Sequence, residues 1–434
     1  MTGTDPYVPD HGDASYDVTH YDLALRYNPE SNRLDGDAVL SCVTTMPVTA
    51  FQVDLHELTI AKLSASGITV ARWAQRGSKV LVTLRTAVPA GRSFTLKVRY
   101  SGQPGTIGSP ALGDAGWEEL VDGVIVAAQP HGAPTWFPCN DRPDNKATYA
   151  FELAAPSDYY VAMSGEKTGS SRRSSTVTWT YEQTEPMASY LATVQIGRYE
   201  PTDQKAVVPL RVVAPKDVAG ADFDASFGLQ PAMMAFFVDR FGPYPFADYT
   251  TVITDDPLEI PLESQSLSTF GRNFVSSEWD AVRLVAHELA HQWFGNAVTL
   301  RRWRDIWLHE GFACYCEWLW SEESGGRSAG DWATHHHAQL RGQAKDLVLS
   351  DPGPELMFDD RVYKRGAMTL HALRLTVGDM AFFHLLRSWV SEHSGGSVTT
   401  EDFVAHCAEH SETDVAPLLR AWLDETALPS LPKK

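Results

Sequence analysis

Cysteine is scarce in this chain: five in 434 residues, at positions 42, 139, 314, 316 and 407. Thiols so few and scattered exclude a disulfide framework, and their odd number favours the reduced state. Cys314 and Cys316 form a close pair inside a predicted helix. Two residues apart on a helix they project about 200° from one another, which suits two buried thiols better than one metal. Long apolar runs are missing too; none approaches the ~18 residues that a membrane helix requires. The opening MTGTDPYVPDHGDASYD has neither a basic region nor an apolar stretch, so no secretory signal is visible and a cytoplasmic protein is expected. Basic charge is in deficit, with 36 Lys+Arg against 55 Asp+Glu and a net charge of −19. With only short basic runs, this argues against nucleic acid and membranes as partners and fits a partner carrying positive charge. No P-loop, serine-nucleophile elbow, internal repeat or low-complexity segment is present. What is there, 43% hydrophobic and 21% charged residues, is ordinary globular usage, and the length predicts two or three domains.

Two periods divide the chain. Phe94, Leu96, Val98 and Tyr100 alternate with Thr95, Lys97 and Arg99, the mark of a strand with one wet face. Val80, Val82 and Leu84 repeat the pattern, as do Val177, Trp179 and Tyr181, and Gly/Pro/Ser-rich stretches separate these runs. Beyond about residue 202 the period becomes helical. Ser277-x-x-Asp280 resembles a capping box, AVRLVAHELAHQWFG follows as an amphipathic helix, and Gly295 is placed to stop it. Further helices are predicted over Leu370, Leu373 and Val377, from Thr399-x-x-Asp402, and around Leu418, Leu419 and Trp422. The fold class expected is α+β: a β-sheet domain over 1–201 followed by a mostly helical domain over 202–434.

His287-Glu288-Leu289-Ala290-His291 is an HExxH motif. Residues four apart share a helix face, so both imidazoles can meet one ion, and Glu288 stands one position round, within reach of a water there. Zinc suits two neutral imidazoles plus a carboxylate. Glu310, in WLHEGFACYCEW, is the natural third ligand, separated from His291 by 18 residues.

HELAH, 18 residues and then Glu, with HQWFGN following the first part and WLHEGFA around the second, resembles the aminopeptidase N and leukotriene-hydrolase family of zinc metallopeptidases. WFPCNDRPDNKATY (Trp136 to Tyr149) is similar to the family's FPCFDEP-x-x-KATF segment, and RVYKRGAMTLHALR to the segment carrying its catalytic tyrosine. The resemblance implies one zinc per chain on His287, His291 and Glu310, with Glu288 as general base and Tyr363 as donor to the oxyanion. It further implies a saddle-like N-terminal sheet domain and a thermolysin-like catalytic domain.

The family grips the substrate amine with a glutamate in a Gly-Ala-Met-Glu-Asn loop. Ile260-Pro261-Leu262-Glu263-Ser264 stands in its place, so Glu263 is the matching residue, while Pro261 removes one backbone donor. Gln129 resembles the glutamine that shares this task from the N-terminal domain. Glu317, two helical turns beyond Glu310, could orient a histidine ligand, and Asp305 is another candidate. The function expected is hydrolysis of the N-terminal bond of peptides with a free amine, by a monomer or small homo-oligomer. The alternatives are a catalytically silent peptide-binding or scaffold member of the fold, and endopeptidase or epoxide-hydrolase chemistry. Larger relatives add a β-sandwich and a helical roof, so an open cleft is a further expectation. His335, His336 and His337 read as an exposed turn or helix, and Arg301, Arg302 and Arg304 as a salt-bridged loop.

Overall fold

A computed structural model describes residues 5–433. The N-terminal half is built of β-sheets because its runs alternate. Phe94, Leu96, Val98 and Tyr100 are all buried in strand Ser93–Gly102, and the residues between them face outward. That strand belongs to a seven-stranded sheet with the spatial order Glu166–Arg173, Thr176–Ala188, Lys146–Pro156, Tyr16–Asn28, Arg33–Thr44, Ser93–Gly102, Thr59–Ser66. Val80 and Val82 lie in a three-stranded sheet and Ile125 in a five-stranded one. Stacked aromatics fill the space beneath, among them Tyr21 on Tyr149 with ring centres 4.8 Å apart and Phe137 edge-on to Tyr21 at 5.4 Å.

The segment from Asn140 to Lys146 ties the first strand to its parallel partner. Asn145 exchanges two hydrogen bonds with the backbone of Val18, at 2.9 and 2.8 Å, and Asn140 donates to the carbonyl of Tyr16 at 2.8 Å. Lys146 then leaves the domain altogether. Its buried Nζ donates to the carbonyls of Asn296 and Ala297, at 2.9 and 3.0 Å, directly behind the HExxH helix.

The second domain opens on a four-stranded sheet, Glu200–Gln204, Leu210–Ala214, Tyr249–Thr254 and Leu267–Gly271, and continues as helices. The HExxH helix runs Trp279–Ala290, with Glu278 at its N-cap. The expected capping box does not form: no side chain caps this terminus, and the Ser276 hydroxyl instead accepts from the Glu278 N–H at 3.2 Å. Burial of Val282, Val285, Ala286 and Leu289, not a cap, holds the helix. The Thr399–Asp402 box does form, at the head of helix Thr400–Glu409.

Helices Trp307–Glu323 and Asp360–Val377 cross at two glycines. A methyl group on Gly311 would sit 2.7 Å from the Gly366 Cα, and one on Gly366 2.6 Å from the Gly311 Cα. This close approach brings Glu310 and Tyr363, one on each helix, to the same end of the domain. All five cysteines are buried free thiols. Among the described residues no helix is long and apolar enough to cross a membrane. The three histidines 335–337 lie in helix Ala329–Leu340, where His336 stacks on Trp318 and Trp332. Arg304 pairs with Glu401 at 2.6 Å.

Candidate metal centre

His287 occupies the last turn of the HExxH helix and His291 its C-cap, still helical at φ −56° and ψ −24°, so the i, i+4 spacing puts both rings on one side. Glu310 enters from the first turn of the next helix. Its Oε2 lies 3.3 Å from His287 Nε2 and 3.4 Å from His291 Nε2. Three atoms bound to one tetrahedral ion at roughly 2.0–2.1 Å stand about 3.4 Å apart, so the spacing fits zinc as it stands. All three residues are buried, at 5% exposure or less.

Each imidazole is oriented by a partner on its far nitrogen. His287 Nδ1 is 2.7 Å from Glu317 Oε1, and His291 Nδ1 is 3.0 Å from the carbonyl of Phe294. Both partners accept, so both Nδ1 atoms carry the proton and both Nε2 lone pairs face the centre. Glu317 is kept ionised for this. Burial would raise its pKa, but Lys364, the bond to His287 and Arg283, whose Nη1 is 3.2 Å from Oε2, outweigh burial and bring it down to about 2. Asp305 does not share this task, contrary to expectation. Its Oδ1 accepts from the N–H and hydroxyl of Thr400, at 3.0 and 2.6 Å, and so anchors helix Thr400–Glu409. The neighbouring His309 is also buried, but its Nε2 accepts from the Leu300 N–H at 2.7 Å, which takes it out of the ligand set.

The centre is short of positive charge. Burial alone would strip protons from the imidazoles, yet Glu310, with Glu263 and Glu288 behind it, lifts His291 to about 10. Glu310 itself is held well below the usual carboxylate range: burial is outweighed by His291 and His287. Glu288 is buried, its Oε2 has no hydrogen-bond partner among the described residues, and burial followed by Glu263 pushes it up to about 8. An enclosed set of carboxylates facing two imidazoles is the environment a divalent cation neutralises.

Glu263 stands beside this set: one oxygen of its carboxylate, one of Glu288 and a nitrogen of His291 lie within 4.8 Å of one another. From the N-terminal domain, Gln129 Nε2 donates to Glu263 Oε1 at 2.5 Å. The loop carrying Glu263 is fastened to the edge strand by reciprocal Leu262–Thr269 bonds of 2.9 Å. Two side chains just beyond HExxH fasten it to the helix end. Asn296 donates to the carbonyl of Glu263 at 2.8 Å, and Gln292 donates to that of Ser264 at 3.2 Å while accepting from the Ser266 N–H at 2.8 Å. Both amides belong to HQWFGN, and their positions one and five residues past the second histidine are the signal for this role in the sequence. The Tyr363 ring lies over His287 with centres 6.1 Å apart. Burial, then Glu310, Glu263 and Glu288, raise the phenol well above its ordinary value, so it stays a proton donor. Tyr363, Gln129, Phe358 and Ile260 line a cleft of about 740 Å³ between the domains.

A sheet-rich domain closing over a helical one, with an HExxH helix end, a glutamate from the next helix and a fixed carboxylate at the sheet edge, defines a two-domain metallopeptidase. Residues 17–191 match the Peptidase M1 N-terminal domain and residues 226–422 the Peptidase family M1 domain. Aminopeptidase N of Lactococcus lactis is 29% identical over 325 residues, covering 69% of this chain and 38% of its own length. Glutamyl aminopeptidase of Mus musculus is 25% identical over 455 residues, covering 94% and 47%. The chain thus spans less than half the length of these relatives. A crystal structure of an M1 zinc metallopeptidase mutant from Deinococcus radiodurans, bound to a Tyr-Ser-Ala substrate, superposes with a TM-score of 0.89 at 32% identity, covering 99% of each chain. The chain belongs to the M1 family of metallopeptidases.

Proposed function

We propose that this chain is a zinc aminopeptidase that hydrolyses the first peptide bond of substrates with a free N-terminal amine. The observation that carries the reading is the Glu263 carboxylate, gripped by Gln129 at 2.5 Å and set beside Glu288 and His291. An anion fixed there pairs with an α-ammonium and leaves room for one residue before the bond to be cut. His287, His291 and Glu310 would hold the ion, and zinc bound there would supply polarisation of the scissile carbonyl and a more acidic water.

Glu288, as the carboxylate, would take the proton of the attacking water on its unpartnered Oε2 and pass it to the leaving amine. Tyr363 donates a hydrogen bond to the carbonyl oxygen as negative charge gathers there. Glu317 and the Phe294 carbonyl keep both imidazoles aimed throughout, and Gln292 and Asn296 keep the Glu263 loop in place. Acidic residues along the cleft, Asp114, Glu118 and Glu259, draw in the cationic end of a peptide.

The test uses aminoacyl arylamides with free and N-acetylated amines, with and without chelator, beside Glu288→Gln and Glu263→Gln. Turnover should require the free amine and the metal, and fall by about 10³-fold in Glu288→Gln with zinc content unchanged. Equal cleavage of the acetylated substrate overturns the assignment of Glu263. Full activity after chelation overturns the metal reading.

A further inference from the structure

Away from the cleft, helices Asp379–His393 and Thr400–Glu409 both end on a group of histidines that the proposed reaction does not use. Glu392 and His393 fill the last turn of the first helix, His406 the last turn of the second, and His410 its C-cap. One donor atom each from Glu392, His393 and His406 lies within 4.8 Å of the others. The Glu392 carboxylate reaches two imidazoles: Oε2 is 3.6 Å from His406 Nδ1, and Oε1 is 3.4 Å from His410 Nε2.

His406 is 4% exposed, and its other nitrogen is committed. Nε2 lies 3.1 Å from the Leu385 carbonyl and 3.0 Å from the Ser388 hydroxyl. A carbonyl only accepts, so Nε2 bears the proton and Nδ1 turns a bare lone pair toward a carboxylate. Two acceptors at that distance repel unless a cation stands between them. A backbone carbonyl fixing the far nitrogen is the arrangement that orients metal-binding imidazoles. The C-terminal ends of the two helices add their negative dipole ends to the same spot.

We propose that Glu392, His393 and His406 form a second divalent-cation site, separate from the HExxH centre, with His410 steadying the second oxygen of Glu392. Two imidazoles and one carboxylate select zinc-class ions over magnesium or calcium, which prefer oxygen shells. The site clamps the two helix ends together and stiffens the segment between them. That segment backs the turn holding His291: the Gly395 N–H donates to the Ala297 carbonyl at 2.8 Å, and the Thr299 N–H to the Gly396 carbonyl at 3.2 Å.

The test counts metal in tag-free protein that has been stripped with chelator and dialysed against zinc chloride. It starts from His287→Ala, which isolates the second site and frees the count from the catalytic reading. This variant should hold one zinc per chain. Adding Glu392→Gln with His410→Gln, or His393→Gln alone, should reduce the count to none. These side chains are exposed or half-buried, so circular dichroism should show the fold intact. In the otherwise native chain, Glu392→Gln with His410→Gln should leave arylamide turnover at saturating zinc unchanged; in the His287→Ala background the same pair should abolish the zinc-dependent rise in Tm that His287→Ala alone retains. If His287→Ala binds no zinc, or its zinc survives both sets of substitutions, the proposal fails; protonated histidines pairing with Glu392 then account for the cluster.

Discussion

Glu317 and the Phe294 carbonyl aim the two imidazoles by different means, and the difference is testable at a single residue. At His291 the acceptor is backbone, so no side-chain substitution removes it. At His287 the acceptor is a carboxylate, 2.7 Å away, and Glu317→Gln replaces an ion with a neutral amide. Loss of such a partner typically costs 10–100-fold in metal affinity. Chelator competition should show zinc affinity falling by about that factor in Glu317→Gln, with kcat at saturating zinc much less affected. Unchanged affinity would mean that packing alone positions His287. Gly295 belongs to the same scale: at φ 131°, a methyl group there would lie 3.1 Å from His291 Nδ1. Sequence reading assigned this glycine to stopping the helix; its second task, making room for a ligand, depends on where His291 turns.

Among the elements, the crossing of helices Trp307–Glu323 and Asp360–Val377 governs the site most directly. Backbones that touch through Gly311 and Gly366 leave no room for a side chain on either. Gly366→Ala should separate the helices and move Tyr363 relative to Glu310. Overpacking of this kind costs about 1–3 kcal/mol; the expected outcome is a lower urea midpoint together with a kcat loss larger than the KM change. A midpoint that falls with kcat intact would confine the contact to stability. Alternation made the strands through Val80, Phe94 and Val177 legible in advance, and helical spacing the helices through His287, Leu370 and Leu419. The HExxH terminus was the exception: Ser277-x-x-Asp280 has a capping pattern, but Glu278 takes the cap and apolar burial does the holding.

Across the whole molecule, charge and metal set stability. On the proposed reading zinc binds the folded chain and has no assembled site in the unfolded one, so saturation at a thousandfold excess over Kd contributes about 4 kcal/mol. Stripping the metal should lower Tm and make it depend on added zinc concentration, as differential scanning fluorimetry would read. A Tm indifferent to zinc would contradict the enclosed centre described above. Asp248 offers a pH test remote from the metal. Burial, with Glu166 and Glu185 adding and Arg211 opposing, raises its carboxyl to about 6. A carboxyl whose folded pKa is raised costs stability when ionised; the cost is complete above about 6 and is relieved as pH falls toward the ordinary value of 3.8. Asp248→Asn should therefore stabilise by about 1–2 kcal/mol at pH 7.5, with allowance for partial solvent screening, and by nearly nothing at pH 4. Urea midpoints at the two pH values decide it.

His287, Glu288, His291 and Glu310 could be read from the chain because a helix converts sequence spacing into shared direction, and 18 intervening residues still left a recognisable pattern. The division into a sheet-rich and a helical half was equally local, since a period of 2 and a period of 3.6 are written residue by residue. Only the tertiary structure decided that Glu317 and not Asp305 steadies a histidine, that Gln129 crosses from one domain to grip Glu263, and that Lys146 buttresses the turn behind His291. Each of these pairs residues from separate elements, and no spacing along a chain encodes a distance that packing creates.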